Sequence, residues 1–328
     1  MAEADQIIEA SAADDSDVDS ALPEDYGSST RSVASSIYDY EKSHGRTYHS
    51  FHSGKYMLPN DAEELDRVDI AYHAIRLSIG NKHFYAPIKN PTSILDVGTG
   101  TGVWAVDVAD DYPAAIVVGT DLSPTQPSMV PPNLRFEIAD ADEEWTFRPE
   151  SFDLIHTRAM NDLSLRDWAD YYRQAFRALK PGGWAEAQEC CCRRQSDDDT
   201  IPKDGHMLLW EDEWERAMKK IGKTGHCNPN LVMEQMEDAG FANITCKYFK
   251  APLGPWPKNP TLKEAGRFAQ VMMIEGLYGM SVKLFTDVLG WEMDKYEALL
   301  AKAREELRRN DIHSYFMIYV IYAQKPEK

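Results

Sequence analysis

The chain has 328 residues, of which 43% are hydrophobic and 27% are charged. This length and composition suffice to bury a core without a metal or a disulfide staple, which excludes a mini-protein scaffold. The net charge of -19 disfavours direct binding to nucleic acid or to an anionic membrane, because both present negatively charged phosphates.

The acidic excess is concentrated near the N-terminus. Residues 1 to 42 hold seven Asp and four Glu against two basic residues, together with a serine-rich run from Ser28 to Ser36. Such a segment has too little apolar surface to offset the entropy cost of folding, so we predict an acidic, serine-rich disordered tail over residues 1–44. It lacks the basic and apolar regions of a signal peptide, and the sequence has no membrane-spanning stretch. We therefore expect an intracellular protein, cytoplasmic or nuclear.

The five cysteines do not follow the spacing of a disulfide framework or of a zinc site. Their number is odd, three are adjacent from Cys190 to Cys192, and there is no CxxC motif. We expect thiols in a reducing compartment, and we interpret the three adjacent cysteines as packing residues at the end of a strand.

Helical and strand-like patterns alternate through the middle of the chain. Apolar residues at helical spacing follow a candidate cap at Asp61, with Glu64 three positions on, which predicts a helix. Further helices are predicted directly after the glycine-rich stretch 98–102 and over WADYYRQAFRALK, ending at Pro181. The predicted buried strands are SILDVG, IVVGTD, LRFEIAD, FDLIHTR and GGWAEAQE. This alternation predicts a parallel, right-handed α/β sheet.

The rest of the chain is mainly helical. Helical patterns cover 205–221, 229–239 and a block from Leu262 to Arg309, and aromatic, β-branched strands are predicted at ITCKYF and SYFMIYVIYA. We predict that these two strands pair at one edge of the sheet. The helical block between them would then project as a lid.

The stretch from Asp96 to Gly102, DVGTGTG, follows a predicted strand and opens a predicted helix. At such a turn the backbone can approach a ligand closely and free amides point towards it. A dinucleotide fingerprint would place its third small residue where this chain has Val103, so an NAD-dependent dehydrogenase is a weaker alternative. The remaining alternative is a tight turn that binds nothing.

Two acidic residues close the next two predicted strands. Asp121 ends the second strand and Asp140 ends the third, at the sheet edge that faces the ligand cleft in such folds. The first carboxylate suits two ribose hydroxyls, and the second suits an amino donor such as adenine N6. No Lys or Arg lies between Pro91 and Asp121, which disfavours a cofactor bound through pyrophosphate. Solvated strand ends are the alternative for either acid alone.

Several segments resemble the successive motifs of class I S-adenosylmethionine-dependent methyltransferases, and more narrowly those of the fungal LaeA-like (UMTA-type) family. These segments are ILDVGTGTGVWAVDVA, VVGTDLSP, FEIADADEEW, FDLIHTR and LKPGGW, and YMLPNDAEELDRVDIAYH and NKHFYAPI are similar to segments that the family carries upstream. The resemblance implies a Rossmann-like seven-stranded sheet, mostly parallel with an antiparallel edge strand, plus helical lid insertions. It also implies S-adenosyl-L-methionine as the cofactor.

The resemblance implies a methyltransferase domain over residues 45–328. Within it we predict an N-terminal lid segment at 45–90, a nucleotide-binding core at 91–195, and a helical cover with edge strands at 196–328. In the lid segment, the stretch Tyr48–Asn60 would close over the cofactor.

The resemblance also implies roles for residues of the glycine loop. Gly98, Gly100 and Gly102 would line the methionine part of the cofactor, and Asp96 would lie beneath the loop, near the cofactor's amino group.

For the nucleoside part, the resemblance implies that Asp121 holds the ribose. Asp140 would hold the adenine amino group, with Asp142, two residues on, as its rival for that role.

Methyl transfer needs a general base only when the nucleophile must lose a proton. The candidates are His156, Glu186 and Glu189, at the carboxyl ends of the fourth and fifth strands. We place His156 first as a catalytic residue because its ordinary pKa is about 6.5 and it would face the donor methyl, with packing or a cofactor contact as the equal alternative. At most one of the two glutamates can reach the cleft, since residues three apart in a strand face opposite sides.

His49 and His52 have no carboxylate nearby in sequence, so we interpret them as packing residues rather than metal ligands.

Two functions stay open. The first is methylation of an oxygen or nitrogen of a small-molecule acceptor in fungal secondary metabolism. The second is a LaeA-like regulator that acts in a nuclear complex with velvet-type protein partners. The complete cofactor loop favours the first. Direct nucleic-acid methylation is disfavoured, because HTRAMND follows FDLI where base-methylating enzymes carry an Asp/Asn-Pro-Pro-aromatic step.

Overall fold

The structure is a computed structural model, which describes residues 38–52, 54–160, 164–165, 167–224 and 226–327. The predicted tail lies outside these residues except for its C-terminal end. There, β1 (Glu41–Ser43) and β2 (Arg46–Tyr48) form an antiparallel hairpin that starts within the stretch assigned to the tail. Strands of three residues are too short to show a periodic pattern, which is why the sequence did not predict them.

A twisted sheet forms the centre of the domain. Its strands are β3 (Ser93–Val97), β4 (Ile116–Asp121), β5 (Leu134–Ile138), β6 (Phe152–Arg158), β7 (Leu179–Cys190), β8 (Gln195–Ser196), β9 (Ala242–Pro252) and β10 (Ser314–Gln324). The order is β5-β4-β3-β6-β7-β10, and β9 and the two-residue β8 both pair with β10. The first five strands are parallel, and β10 runs antiparallel to β7, β8 and β9. The mostly parallel sheet and the pairing of the last two long strands are confirmed.

The described part of the chain forms seven α-helices. They are α1 (Ala62–Ser78), α2 (Val103–Asp111), α3 (Trp168–Ala178), α4 (His206–Lys220), α5 (Pro229–Asp238), α6 (Pro260–Lys283) and α7 (Met293–Leu307). The Asp61 carboxylate caps α1 as predicted, accepting a hydrogen bond from the backbone N–H of Glu64 at 3.2 Å. A π-helical turn, Leu284–Val288, separates α6 from α7. Among the described residues, no helix combines the length and apolar character needed to span a membrane.

The central parallel strands β3, β4 and β6 are buried over most of their length, which explains their mainly apolar sequences. One apolar cluster packs α3 and α5 on one face, and a second packs α2 on the other. A third cluster joins α4, α6 and α7 away from the sheet. The predicted helical block is thus a core of its own, and α6 packs along α1.

A buried ionic network links this helical core to the segment that follows β7. The Arg194 guanidinium donates to Glu211 at 2.6 Å and lies 3.3 Å from a carboxylate oxygen of Glu306. All three side chains are at most 7% exposed. Burial raises the pKa of Glu211 even against the opposing effect of Arg194, so the pairing only partly offsets the desolvation of the carboxylate.

Candidate functional site

The glycine loop (Gly98–Gly102) leaves β3 in a backbone conformation that requires glycine. Gly98, Gly100 and Gly102 have φ of 71°, 59° and 82°, in the left-handed region that other residues rarely adopt. The backbone N–H groups of Gly98 and Thr99 both donate to the carbonyl of Thr120 at 2.9 Å. These bonds fix the loop over the end of β4.

The three glycines serve different purposes. A Cβ at Gly98 would lie 2.2 Å from the sulfur of Met160, and one at Gly102 would lie 2.4 Å from the Phe136 ring. At Gly100 the nearest neighbour would be 3.8 Å away, on Val68. Gly98 and Gly100 line a cavity, whereas Gly102 does not. The prediction that Gly102 lines the ligand site therefore differs from the structure, because Gly102 is needed for close packing on Phe136 instead.

The cavity has a volume of about 220 Å³ and opens above the carboxyl ends of β3, β4 and β6. Its floor is the glycine loop and the strand ends, one wall is α1, and Ala159, Met160, Ser164 and Leu165 line the other. The segment Tyr48–Asn60 contributes His49, Lys55, Tyr56, Pro59 and Asn60 to the lining. Among the described residues, the helical block after position 196 contributes none of the lining side chains.

Asp121 lies in the cavity wall at the end of β4, as predicted. Its two carboxylate oxygens accept hydrogen bonds from the backbone N–H groups of Gly100 at 2.9 Å and Ser123 at 3.0 Å. Burial raises the pKa of Asp121 to about 6 even though these N–H groups favour the charged form. Each carboxylate oxygen can accept a further hydrogen bond. The two oxygens of Asp121 can therefore accept two hydrogen bonds from a ligand.

Asp140 also lines the cavity, while Asp142 is not among the lining residues. Lys55 Nζ pairs with Asp140 and lies 2.8 Å from Asp142, and His52 Nδ1 lies 2.7 Å from Asp140. Burial opposes ionisation of Asp140, but the hydrogen bonds from Lys55 and His52 outweigh it and lower its pKa. The carboxylate is therefore ionised at neutral pH and is held by two side chains from residues 48–60.

The surroundings of His52 correct one expectation from the sequence. His52 has carboxylate partners after all, since it contacts Asp140 and lies 3.5 Å from Glu143. The three groups come within 4.8 Å of one another, but the Lys55 ammonium already pairs with the Asp140 carboxylate. His49 remains a packing residue that is only 2% exposed, although it touches the cavity. The residues of these pairs lie about 85 positions apart in the chain. No local sequence pattern therefore indicates the contacts.

His156 does not face the cavity. Its ring is fully buried and stacks on the Trp104 indole, with ring centroids 3.7 Å apart. Nδ1 lies 2.7 Å from Asp96, whose other oxygen accepts from the Thr99 hydroxyl at 2.7 Å. Burial lowers the pKa of His156 despite the nearby carboxylate. His156 therefore positions Asp96 beneath the loop, and the prediction of a general base facing a donor methyl is not supported by this geometry.

The two glutamates proposed as alternative bases also lie outside the cavity lining. Glu186 accepts hydrogen bonds from the backbone N–H groups of Tyr85 and Ala86, each at 2.7 Å, and burial raises its pKa to about 7. Glu189 accepts from the Met160 N–H at 3.1 Å. The spacing predicted that at most one of them reaches the cleft, and neither is among the lining residues. Of their backbone partners, Met160 lines the cavity, whereas Tyr85 and Ala86 do not.

Arg158 is a cavity residue that the sequence did not single out. It ends β6, its guanidinium lies 4.6 Å from the centre of the Tyr72 ring, and it lines the cavity. Within the described chain, no carboxylate lies within 4.0 Å of it. Burial lowers the pKa of Arg158 in spite of the field of Asp96 and other acids nearby. The cavity thus presents a cation and the Asp96 carboxylate close together.

Comparison with known proteins gives the family. A family model described as "Methyltransferase domain" matches residues 94–183. "Methyltransferase pytC" of Aspergillus terreus is 43% identical over 305 residues, which is 92% of this chain and 93% of that protein. "Protein-methionine methyltransferase laeA" of Emericella nidulans is 32% identical over 290 residues, 88% of this chain and 77% of that protein. This chain belongs to the fungal LaeA-like class I methyltransferases.

As a LaeA-like methyltransferase, the chain uses S-adenosyl-L-methionine as its cofactor. Among solved structures, a Haemonchus contortus phosphoethanolamine N-methyltransferase in complex with S-adenosyl-L-methionine matches 79% of this chain and 57% of that chain. The two sequences are 18% identical, and the TM-score is 0.45.

The described cavity of this LaeA-like chain fits a sulfonium nucleoside chemically. Two ionisable acceptors, Asp121 and Asp140, end neighbouring strands, and open space lies over Gly100. Arg158 and Asp96 together offer a cation and an anion, which is the complement of an α-amino acid zwitterion.

Proposed function

We propose that this methyltransferase transfers the methyl group of S-adenosyl-L-methionine to an oxygen or nitrogen of a small molecule in fungal secondary metabolism. The observation that carries the proposal is the cavity over Gly100, which is bordered by the carboxylates of Asp121 and Asp140. In this proposal Asp121 accepts hydrogen bonds from the two ribose hydroxyls. Asp140 accepts one from the adenine amino group.

The methionine end of the cofactor would lie between the glycine loop and α1. Arg158 would hold the α-carboxylate, since its N–H groups have no carboxylate partner among the described residues. Asp96 would face the ammonium group, and His156 would fix the orientation of that carboxylate. Gly98 and Gly100 would give the ligand access to the backbone of the loop.

Methyl transfer mainly requires that the donor and the acceptor are aligned. S-Adenosyl-L-methionine supplies an activated methyl group, and the protein must hold the acceptor in line with it and exclude water. Residues 48–60 would provide this exclusion, because Lys55 and His52 fasten them to Asp140 across the cavity mouth. None of His156, Glu186 and Glu189 lines the cavity that the described residues form. We therefore propose an acceptor that is nucleophilic without a protein base from this set.

A small acceptor is favoured over a macromolecule by the apolar part of the cavity lining. This part includes Leu65, Val68, Ile75, Met160 and Leu165. Apolar walls with few polar groups are typical of small-molecule sites. The relative named methyltransferase pytC supports this choice. Relatives named "Secondary metabolism regulator laeA" support a second candidate function, which is regulation together with partner proteins.

The first test is ligand binding by the full chain. Because a ligand stabilises the state that binds it, S-adenosylhomocysteine at 100 times its Kd should raise the free energy of unfolding by about 2.7 kcal/mol. NAD at the same concentration should leave it unchanged, and methyl transfer from labelled donor to pathway intermediates then identifies the acceptor. Stabilisation by NAD alone, or by neither compound, would refute the proposed cofactor site.

The pH dependence of donor binding tests the role of Asp121. Hydroxyl groups of the ribose donate to the ionised carboxylate, so binding favours the charged form and releases a proton wherever free Asp121 is protonated. With a pKa of about 6 in the free protein, affinity should fall about tenfold per unit below pH 6 and level off above about pH 7.

Asp121→Asn is the matched control, because it keeps the shape and removes the titration. Isothermal titration of S-adenosylhomocysteine from pH 5 to 8 should show a flat profile for this variant. At pH 8 its affinity should be weaker by about 1.5–3 kcal/mol, as expected when hydrogen bonds to a charged group are lost. A wild-type profile that is equally flat would show that Asp121 does not contact the ligand.

A further inference from the structure

A second cluster of reactive side chains lies outside the cofactor cavity. Cys191 follows β7, and its sulfur lies 3.6 Å from Nδ1 of His226. The other ring nitrogen, Nε2, lies 2.8 Å from a carboxylate oxygen of Glu215 on α4. The backbones of Cys191 and His226 also pair as an antiparallel bridge. A thiol, an imidazole and a carboxylate thus stand in series, and none of the three lines the cofactor cavity.

A thiol, an imidazole and a carboxylate in this sequence are typical of an activated nucleophile. A thiol next to a histidine transfers its proton to the ring, and a carboxylate on the far nitrogen orients the ring and stabilises its charged form. Although burial would raise it, the hydrogen bond from His226 lowers the pKa of Glu215. Glu215 is therefore available as an anion at neutral pH.

Two basic side chains border the Glu215 end of the cluster. Arg193 lies 3.4 Å and Lys219 3.5 Å from Glu215. The acidic group on the same side is Asp212, which is paired with Arg193 at 2.6 Å. From β10, Tyr319 faces the cysteines at 190, 191 and 227, and burial together with these thiols raises its pKa to about 12, so the phenol is neutral.

We propose that Cys191, with His226 as its base and Glu215 as the residue that orients the base, is a modification site for soft electrophiles of the α,β-unsaturated carbonyl class. In the addition, a bond forms between the Cys191 sulfur and the β-carbon of the electrophile. The π electrons of the C=C bond move to the carbonyl oxygen as an enolate, and the proton held by His226 ends on the α-carbon. No oxidant or further reactant is needed.

The chain also contains a half-buried thiol without a histidine among its described contacts, which serves for comparison. Cys246 on β9 is half-buried, and burial raises its pKa. Its described contacts are the Lys247 carbonyl at 4.0 Å and a hydrogen bond with Tyr248, with no histidine among them. Labelling both in the same sample compares a thiol beside a histidine with a half-buried thiol that has none, and variants of His226 and Glu215 isolate the effect of the histidine and carboxylate.

The test is labelling of the native full-length protein with N-ethylmaleimide between about pH 5.5 and 9.5. Peptide mass spectrometry with fragmentation separates Cys191 from its neighbours Cys190 and Cys192. The shape of each pH profile is compared, because limited access scales the rate without moving the midpoint. We expect the midpoint for Cys191 to lie at least about one pH unit below that for Cys246.

Two variants separate activation from packing. His226→Asn should move the Cys191 midpoint up to that of Cys246, and Glu215→Gln should move it part of the way, with melting temperatures within about 2 °C of the wild type. If His226→Asn fails to fold, the Glu215→Gln shift decides. The proposal is overturned if Cys191 reacts only after unfolding, if its wild-type midpoint matches that of Cys246, or if neither variant moves it.

Discussion

Arg194→Ala should lower the free energy of unfolding by about 3–5 kcal/mol at neutral pH, because it leaves buried carboxylates without their counter-ion. Glu211 and Glu306 are 3% and 7% exposed, and Arg194 is the shared partner of both. Urea unfolding at pH 8 measures the loss. At about pH 5 the loss should be smaller, since the unpaired Glu211 carboxyl group, whose pKa is raised by burial, then takes up a proton more readily.

Arg216→Ala is the control for this substitution. Arg216 makes an ion pair with Glu213 on the surface of α4, where its side chain is 57% exposed. Removing an exposed pair of this kind costs about 0–1 kcal/mol. Equal effects of the two substitutions would mean that the Arg194 network contributes no more than a surface ion pair and does not tie the helical core to the sheet.

Gly100→Leu should weaken donor binding at least about 100-fold, which is about 2.8 kcal/mol. Of the three loop glycines, Gly100 has open space in the direction that a side chain would take, and that space is the cavity. A leucine there would occupy the volume of the ligand. Isothermal titration with S-adenosylhomocysteine measures the change, and urea unfolding shows that the sheet is intact.

Gly100→Ala separates ligand exclusion from backbone strain. Both variants place a side chain on a residue with φ of 59°, so each should lose about 1–2 kcal/mol of stability. The alanine side chain has only the Cβ atom, so it occupies much less of the cavity than leucine would. We therefore expect a much smaller effect on binding. If alanine weakens binding as much as leucine does, the loop conformation is responsible, and Gly100 does not face the ligand.

The sequence predicted the mostly parallel sheet, and it placed the glycine loop and two acids at one edge of that sheet, because these features are local. Asp121 ends a strand of mainly apolar residues, Asp140 follows β5 by two residues, and parallel strands bring their carboxyl ends to one edge. The sequence did not determine the direction in which the His156 side chain points. His156 occupies a suitable strand end, yet its ring packs under the loop against Trp104 instead of facing the cavity.

The cover of the cavity was also decided by long-range packing. The helical block was expected to project as a lid, but α6 and α7 form a core with α4, and the described cavity wall is made by α1 and residues 48–60. Helical periodicity shows that a helix has an apolar face without showing which partner covers it. The ion pairs of Lys55 could therefore not be foreseen.

By itself, the sequence determined the fold class, the cofactor loop and the chemistry available at each strand end, because periodicity and turn residues act over a few positions. Only the tertiary structure decided which glycine meets open space, that Arg158 borders the cavity, and that Cys191, His226 and Glu215 meet. These outcomes depend on contacts between residues far apart in the chain. Their geometry is set by how whole elements pack, and no local pattern encodes it.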